Sequence, residues 1–599
     1  MDIEALEARY GERARSAIAA QADRIELVLP DRSPPPPAGS GLALAGWWVD
    51  EASAGDRVVL PNPYDGVEAI ATMEAWVWGV SQRLAPRLGE RLDATADRSP
   101  RGVDYWRVLL SPWLVLLLSA LADRRLYCRT VSELVPHAPF VLPTVPEPPA
   151  TTSESLWRLR TDAGNGGLLA TIAPHLGILT TRAVFGAPPT LAAERSSRVP
   201  ALRDLRTDLT RVASGAALAS LPGRSLGLVG LTRLNASDLV RLEARVRGVA
   251  PLPRPTLRRS GPRAPIADSE ARARLVPPGL DGSVEPLERL ALEAMPVLLP
   301  RSLLEGFDKI ERESRRRYGR AMHVVVGNYS VDESQNEFLA RCRAAGRRLA
   351  FAQHGGMYLQ SPVNAQERLE IEAGSLFMSW GASGPAVAPT PNPYLERLRD
   401  SHRGGTRITI VEALEPPDAY LLRFAGHPLA NQGYAAARTL AEMVELLPSE
   451  RRVHLALRRF PSAIGPPSRP KTLEDLPASG PPGGAADWMA SSRLAVIPYL
   501  DTPFIEAMVI GTPTVGLWNP SRWPLLAELE PLFGRLREAG ILHAEAASAA
   551  AHIDAIYDDA GGWWTTPEVL ALRAEFVQRF AVPGDWLGAW SRQLRELRR

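Results

Sequence analysis

Val496-Ile497-Pro498-Tyr499-Leu500-Asp501-Thr502-Pro503-Phe504-Ile505-Glu506-Ala507-Met508-Val509-Ile510-Gly511-Thr512-Pro513-Thr514-Val515 is the stretch that decides the fold class. Residues 494–497 read as a buried strand, followed by a sharp turn, a short helix and a second buried strand at 514–517. Thr502 puts a hydroxyl in the turn, with the helix beginning near Phe504. A helix N-terminus offers unpaired N–H groups and the positive end of the dipole, which suits a phosphate. Glu506 lies one turn deeper, where a carboxylate could accept hydrogen bonds from ribose hydroxyls. Gly511 and Pro513 end the helix and return the chain to the sheet.

One reading of this stretch is an ordinary strand-turn-helix-strand unit of any doubly wound domain. The wording Glu506-Ala507-Met508, with Gly511, Pro513 and Val515 in step, also resembles the donor-site helix of GT-B glycosyltransferases. That resemblance implies an α/β fold of two Rossmann-like domains facing each other across a cleft. Many such enzymes carry another Glu eight positions before the helix Glu; here that position is Pro498.

A chain of 599 residues has room for more than one domain. Its 45% hydrophobic and 23% charged residues are those of a soluble globular protein. The net charge of +2 supplies no global basic field for nucleic acid. Lysine occurs only at Lys309 and Lys471, neither in a Gly-rich loop, which leaves no place for a Walker A or Schiff-base lysine. Cys128 and Cys342 are too far apart in sequence for a CxxC site, and two cysteines make no disulfide framework, so a reducing cytoplasm fits. Residues 1–10 are acidic and polar, unlike a signal peptide. The apolar run 108–122, interrupted by Ser111 and Pro112, is shorter than the roughly 20 residues a bilayer span needs. It reads as a buried helix, with peripheral contact at the inner face of the membrane as the alternative.

Taken in order, residues 1–23 read as a helix, 24–29 as a short strand and 33–41 as a Pro/Gly loop. Residues 72–88 read as an inward-packed helix. Arg107 and Arg124 border the apolar run and need partners, either carboxylates or ligand phosphates. Residues 151–249 read as mainly helical, with a Gly-rich turn at 162–167, and 250–278 as a Pro/Arg-rich loop. Two α/β segments follow. In the first, strands at 323–328 and 349–353 flank a helix at 333–345. The second strand delivers Gln353-His354-Gly355-Gly356-Met357-Tyr358 at its C-terminal end, where open α/β sheets bind ligands. The glycines permit close backbone approach and His354 can act as base, acid or phosphate donor. The second segment opens at 407–411, and its strand at 453–461 ends in Arg458 and Arg459.

Tyr105-Trp106-Arg107, Leu303-Leu304-Glu305, the 353–358 motif, Ser379-Trp380-Gly381, the 502–513 stretch and 540–543 occur in this order. The series resembles a bacterial family of transferases found with O-antigen and other surface-carbohydrate genes. More distantly it is similar to capsule enzymes that transfer Kdo or sialic acid, with Arg458, Arg459, Pro461, Thr502 and Glu506 in the matching positions and Phe460 where those enzymes have His. The resemblance implies a GT-B-like α/β fold with extra N-terminal helices. Residues 1–385 would form the acceptor-side domain, 386–560 the nucleotide-sugar domain and 561–599 closing helices.

The activity it implies is glycosyl transfer from a nucleotide sugar to a surface polysaccharide, O-antigen or related glycan or glycolipid, in the cytoplasm. No Asp-x-Asp occurs in the chain, so the expected mechanism is metal-independent and uses no cofactor. His354 and Glu305 are the candidate bases. Arg458, Arg459, Thr502, Glu506, Gln353, Gly355 and Gly356 would line the donor site, and Arg107 and Arg124 are candidate phosphate contacts. The alternative is a non-catalytic nucleotide- or carbohydrate-binding protein on the same fold.

Overall fold

Runs of two to four residues form sixteen strands among the described residues, and every pairing between them is parallel. Parallel strands need long crossovers and cover on both faces, which is why so many of these runs are apolar throughout. The computed structural model describes all residues except 1, 20–24, 29–41, 46–57, 65, 160–161, 183–225, 232–233, 253–264, 281–283, 413–429, 460–469 and 522–523.

The strands make three sheets. The first contains β1 (Ile25–Val28), β2 (Leu42–Ala45), β3 (Val58–Val59), β4 (Phe140–Leu142) and β5 (Thr180–Arg182), in the order β3-β2-β1-β4-β5. The second contains β6 (Leu226–Val229), β7 (Val249–Pro251), β8 (His323–Val326), β9 (Leu349–Ala352), β10 (Leu376–Ser379) and β11 (Val387–Pro389), in the order β11-β10-β9-β8-β6-β7. The third contains β12 (Ile408–Val411), β13 (Leu455–Arg458), β14 (Leu494–Ile497), β15 (Thr514–Leu517) and β16 (Leu542–His543), in the order β13-β12-β14-β15-β16. In both the second and third sheets the winding reverses beside the first strand. That reversal opens a crevice at the C-terminal strand ends, between β6 and β8 and between β12 and β14. Loops from these ends of the two sheets touch, so the fold is α/β and GT-B-like.

The N-terminal part differs from the sequence reading, which saw helical additions to a single Rossmann-like domain. It carries a parallel sheet of its own, of which the sequence reading had only the strand at 24–29. The domain border also moves. β11 pairs with β10 in the register Phe377↔Val387, so the second sheet runs past 385. Trp590, Leu594 and Leu597 of the last helix (Trp586–Arg598) pack with Leu226, Leu228 and Val325, so the chain's final helix belongs to the second sheet. The Gly-rich stretch 162–167 opens a helix (Asp162–Ile172) rather than a turn. In the segment read as a loop over 250–278, β7 and a helix (Ser269–Ala273) are ordered elements, and 253–264 lie outside the described residues. The 33–41 loop and Phe460-Pro461 lie outside them too.

The apolar run belongs to a helix of 32 residues, Val103–Leu134, long and apolar enough by composition to cross a membrane, yet 89% of its most apolar window is buried within the protein. Pro112 sits inside it. A proline has no N–H, so the carbonyl four residues earlier, Val108, loses its helical partner. The buried Tyr329 hydroxyl, on the loop after β8, donates to that carbonyl. This bond repairs the proline defect and ties the helix to the second sheet.

A double-mutant cycle tests that repair. Tyr329→Phe should cost about 1–3 kcal/mol, the penalty of an orphaned buried carbonyl. In a Pro112→Ala background, where the backbone N–H returns, the same change should cost measurably less. Denaturant unfolding of the four proteins reads the coupling, and additive costs would refute the repair.

Candidate active site

The Thr502–Ile510 helix starts and stops for local reasons. Asp501 is its N-cap, Pro503 occupies the first turn where no N–H is needed, and Gly511 closes it in the left-handed region at φ 86°. The helix is buried from Phe504 to Ile510, which places its N-terminus firmly at the end of β14. Asp501 Oδ1 accepts from the Thr502 N–H at 2.6 Å and from the Thr502 hydroxyl at 3.1 Å. The Asp501 carbonyl accepts from Phe504 at 2.9 Å and from Ile505 at 3.4 Å, and Pro503 has no N–H to offer. The anion at this terminus is therefore the chain's own carboxylate, where the sequence reading put a phosphate.

The loop after β9 comes across from the second sheet to meet it. The Gly356 N–H donates to Thr502 Oγ1 at 2.7 Å. A Cβ on Gly356 would lie 2.4 Å from the Thr502 nitrogen and 2.5 Å from the Asp501 carbonyl carbon, so only glycine lets the two backbones approach. A Cβ on Gly355 would sit 3.3 Å from Thr502 Oγ1. Met357 and Leu359 follow with φ of 61° and 57°, uncommon for residues with side chains, and buried Met357 packs into the core of the third sheet. Gln353 braces the loop from inside. Its amide donates to the Gly355 carbonyl at 2.8 Å and accepts from the Trp380 N–H at 2.8 Å. Expected to line the donor site, Gln353 thus spends its side chain holding the glycine turn.

His354 is one-quarter exposed at its side chain. Its Nδ1 lies 3.1 Å from the Tyr358 hydroxyl, which lies 3.0 Å from Glu370 Oε2. Glu370 comes from the Ala365–Ala373 helix and is buried. Its Oε1 accepts from the Tyr329 N–H and from the Gln366 amide, each at 3.2 Å. Burial, with a smaller push from Glu367, raises the Glu370 carboxyl to about 8 despite those hydrogen bonds. Burial also raises Glu367 to about 7. His354 and Gln353 line a small pocket with Leu231, Gly327, Asn392 and Trp590, at the crevice between β6 and β8.

The other predicted residues are dispersed. Glu506 is buried and accepts from the Tyr394 hydroxyl at 3.0 Å. Arg458 ends β13, two strand spacings or roughly 10 Å from β14. It donates to the Arg459 carbonyl, and its buried Nε finds no partner among the described residues. Arg459 is exposed and donates to the Glu474 carbonyl at 2.9 Å. Glu305 is not a poised base. Arg272 grips both its oxygens, at 2.7 and 2.8 Å, and so fastens the 265–278 segment. Arg124 is fully enclosed, paired with Asp123 and donating to Asn165 Oδ1 at 2.9 Å, out of any ligand's reach. Arg107 stands exposed near the start of the long helix. Sequence reasoning missed Asp501, Tyr358, Glu370 and Tyr394 as site residues. The four-residue step from His354 to Tyr358 was available as a signal, but nothing local marks Glu370.

Three comparisons with known proteins bear on this arrangement. The pattern of the LIC12162 family transferase matches residues 42–594. No curated protein matches the chain. Among solved structures, a mutant O-GlcNAc transferase from Thermobaculum terrenum aligns over 88% of this chain and 98% of its own, at 12% identity. Its TM-score of 0.27 is too low to carry any argument, so the fold rests on the sheets themselves.

Two outcomes are expected. Gly356→Ala should loosen the contact between the two loops, read as faster amide exchange at 356 and 502; unchanged protection would count against the backbone approach. Glu367 and Glu370 hold protons in the folded protein that the unfolded chain has released above pH about 4.5. Their contribution is therefore complete below that pH and is lost as pH rises through about 7 to 8. Thermal melts from pH 5 to 9 should show this decline, and Glu370→Gln should flatten its upper part.

Proposed function

The chain belongs to the LIC12162 family of transferases, and we propose that it transfers a glycosyl unit from a nucleotide sugar to a glycan or glycolipid acceptor, without a metal ion. A surface polysaccharide or O-antigen is the acceptor class that fits the sequence resemblance. The observation that carries the reading is the meeting of His354-Gly355-Gly356 with Asp501-Thr502. It sets an imidazole from one parallel sheet against a hydroxyl-bearing helix terminus from the other.

Each part has a role in that chemistry. His354, beside the pocket at the β6/β8 crevice, takes the proton from the acceptor hydroxyl as it attacks the anomeric carbon. The leaving nucleotide carries the negative charge, and it lies over the β12/β14 crevice. Arg458, whose Nε has no partner among the described residues, is the cation assigned to it from the end of β13. The Thr502 hydroxyl hydrogen, now given to Asp501, turns to the donor phosphate when it enters, while the Gly356 N–H keeps hold of the hydroxyl oxygen. Preorganised donors of this kind stabilise charge that develops in the transition state. The direct contact of the two loops excludes water, to which a glycosyl donor would otherwise be lost.

Thermal shift against CMP, UDP, GDP and dTDP tests the donor site. One nucleotide should stabilise the protein by about 2.7 kcal/mol at about 100 times its Kd. Arg458→Ala with Thr502→Val should abolish that gain. His354→Ala should keep it while losing transfer by about 10²–10⁴-fold. No stabilisation by any nucleotide would overturn the donor assignment, and full activity in His354→Ala would overturn the base.

A further inference from the structure

We propose that Glu370 is a positioning residue that acts through the Tyr358 hydroxyl to select which ring nitrogen of His354 carries the proton. This rests on the reading of His354 as the base.

The three groups form one line. Glu370 Oε2, the Tyr358 hydroxyl and His354 Nδ1 are joined by contacts of 3.0 and 3.1 Å. Tyr358 and Glu370 are buried, so water does not interrupt the line. The other oxygen of Glu370 is already committed, because Oε1 accepts from the Tyr329 N–H and the Gln366 amide. A proton on Glu370 therefore sits on Oε2, facing the tyrosine. The tyrosine has one hydrogen for two neighbours. Its ring is held by stacking on Phe377 at 5.4 Å and meets the His354 ring edge-on at 5.4 Å, so the hydroxyl can rotate while the rings stay put.

Two arrangements follow, each with both contacts along the line satisfied. With Glu370 protonated, Oε2–H donates to the tyrosine oxygen and the tyrosine donates to Nδ1. The imidazole proton is then on Nε2, and His354 presents a donor. With Glu370 ionised, the tyrosine hydrogen turns to Oε2 and Nδ1–H donates to the tyrosine oxygen. The lone pair is then on Nε2, and His354 presents a base. One proton leaves Glu370 for solvent, and the imidazole proton moves from Nε2 to Nδ1 by exchange with water.

The groups facing this line set where the change falls. Glu367 on the same helix and Asp501 at the helix terminus across the cleft are both acidic and bear on it, as does His354 itself, 4.0 Å from Glu370 Oε1. Burial, with a smaller push from Glu367, holds Glu370 near 8, so the base form of His354 gains weight as pH rises through that value. Asp501 also gives the second unit a say. Its carboxylate raises the Tyr358 hydroxyl, so moving the Asp501-Thr502 turn alters the same line.

The test is ¹⁵N NMR of the full chain with labelled histidine, followed from pH 7 to 9.5, with His354 assigned by a His354→Gln spectrum. Nδ1 and Nε2 shifts distinguish the tautomers directly and need no substrate. The expected result is a switch from the Nε2–H to the Nδ1–H tautomer, centred near pH 8. Glu370→Gln, whose amide donates permanently to the tyrosine oxygen, should hold His354 as Nε2–H throughout. Tyr358→Phe should abolish the step. One tautomer across the range in the natural protein, or a step that survives both substitutions, would overturn the proposal. Because the readout is spectroscopic, a switch in a protein that transfers no sugar would refute the functional reading and leave the relay standing.

Discussion

Two backbones meet where Gly356 touches Thr502, and no side chain fits between them. The rest of the active face depends on that constraint. Once the two loops are this close, Met357 reaches the core of the third sheet, and the Gln353 amide and the Trp380 indole hold the loop from behind. Further bonds between the units follow the same seam, from Val582 to the Trp380 carbonyl and from Leu526 to the Gln360 carbonyl. A seam built on main-chain groups has little slack, because backbone atoms cannot repack as side-chain tips do. It positions His354 by geometry shared between units rather than by one loop alone.

The electrostatics of the seam differ from those of an open phosphate site. An exposed helix N-terminus attracts an anion because its N–H groups lack partners. Here Asp501 supplies the anion, and the proline in the first turn removes one N–H altogether. Anion binding then falls to groups that can change partner, such as the Thr502 hydroxyl, and to Arg458 across the β12/β14 crevice. On the other side of the seam, burial keeps protons on carboxyls that would be ionised in water. Glu367 and Glu370 thus make this side of the site sensitive to pH near neutrality.

Tyr329 links this site to the N-terminal part of the chain. Its hydroxyl completes the hydrogen bonding that Pro112 leaves open in the long helix, while its N–H binds Glu370. One residue thus serves a packing defect at one end and the polar line of the site at the other. The long helix is apolar enough for a membrane, but what surrounds it here is protein.

The sequence by itself determined the parallel α/β class, through fully apolar runs such as 323–326 and 494–497. It located the two polar loops at 353–358 and 498–502, and it marked the buried character of 108–122. Those features are local: burial on both faces writes itself into consecutive residues, and turn residues punctuate them. Of the first sheet only β1 was legible, as the strand read at 24–29, while β3, β4 and β5 span only two or three residues each and left no run to read. The roles of Glu305 and Arg124 were not legible either, since a charged residue reads alike whether it meets a ligand or a buried partner. Only the tertiary structure decided that Arg272 takes the first and Asp123 the second. It alone joined Glu370 to His354 and Asp501 to the helix terminus. Hydrogen bonds and ion pairs act over about 3 Å in space, and sequence separation does not encode which groups the packing of sheets will bring that close.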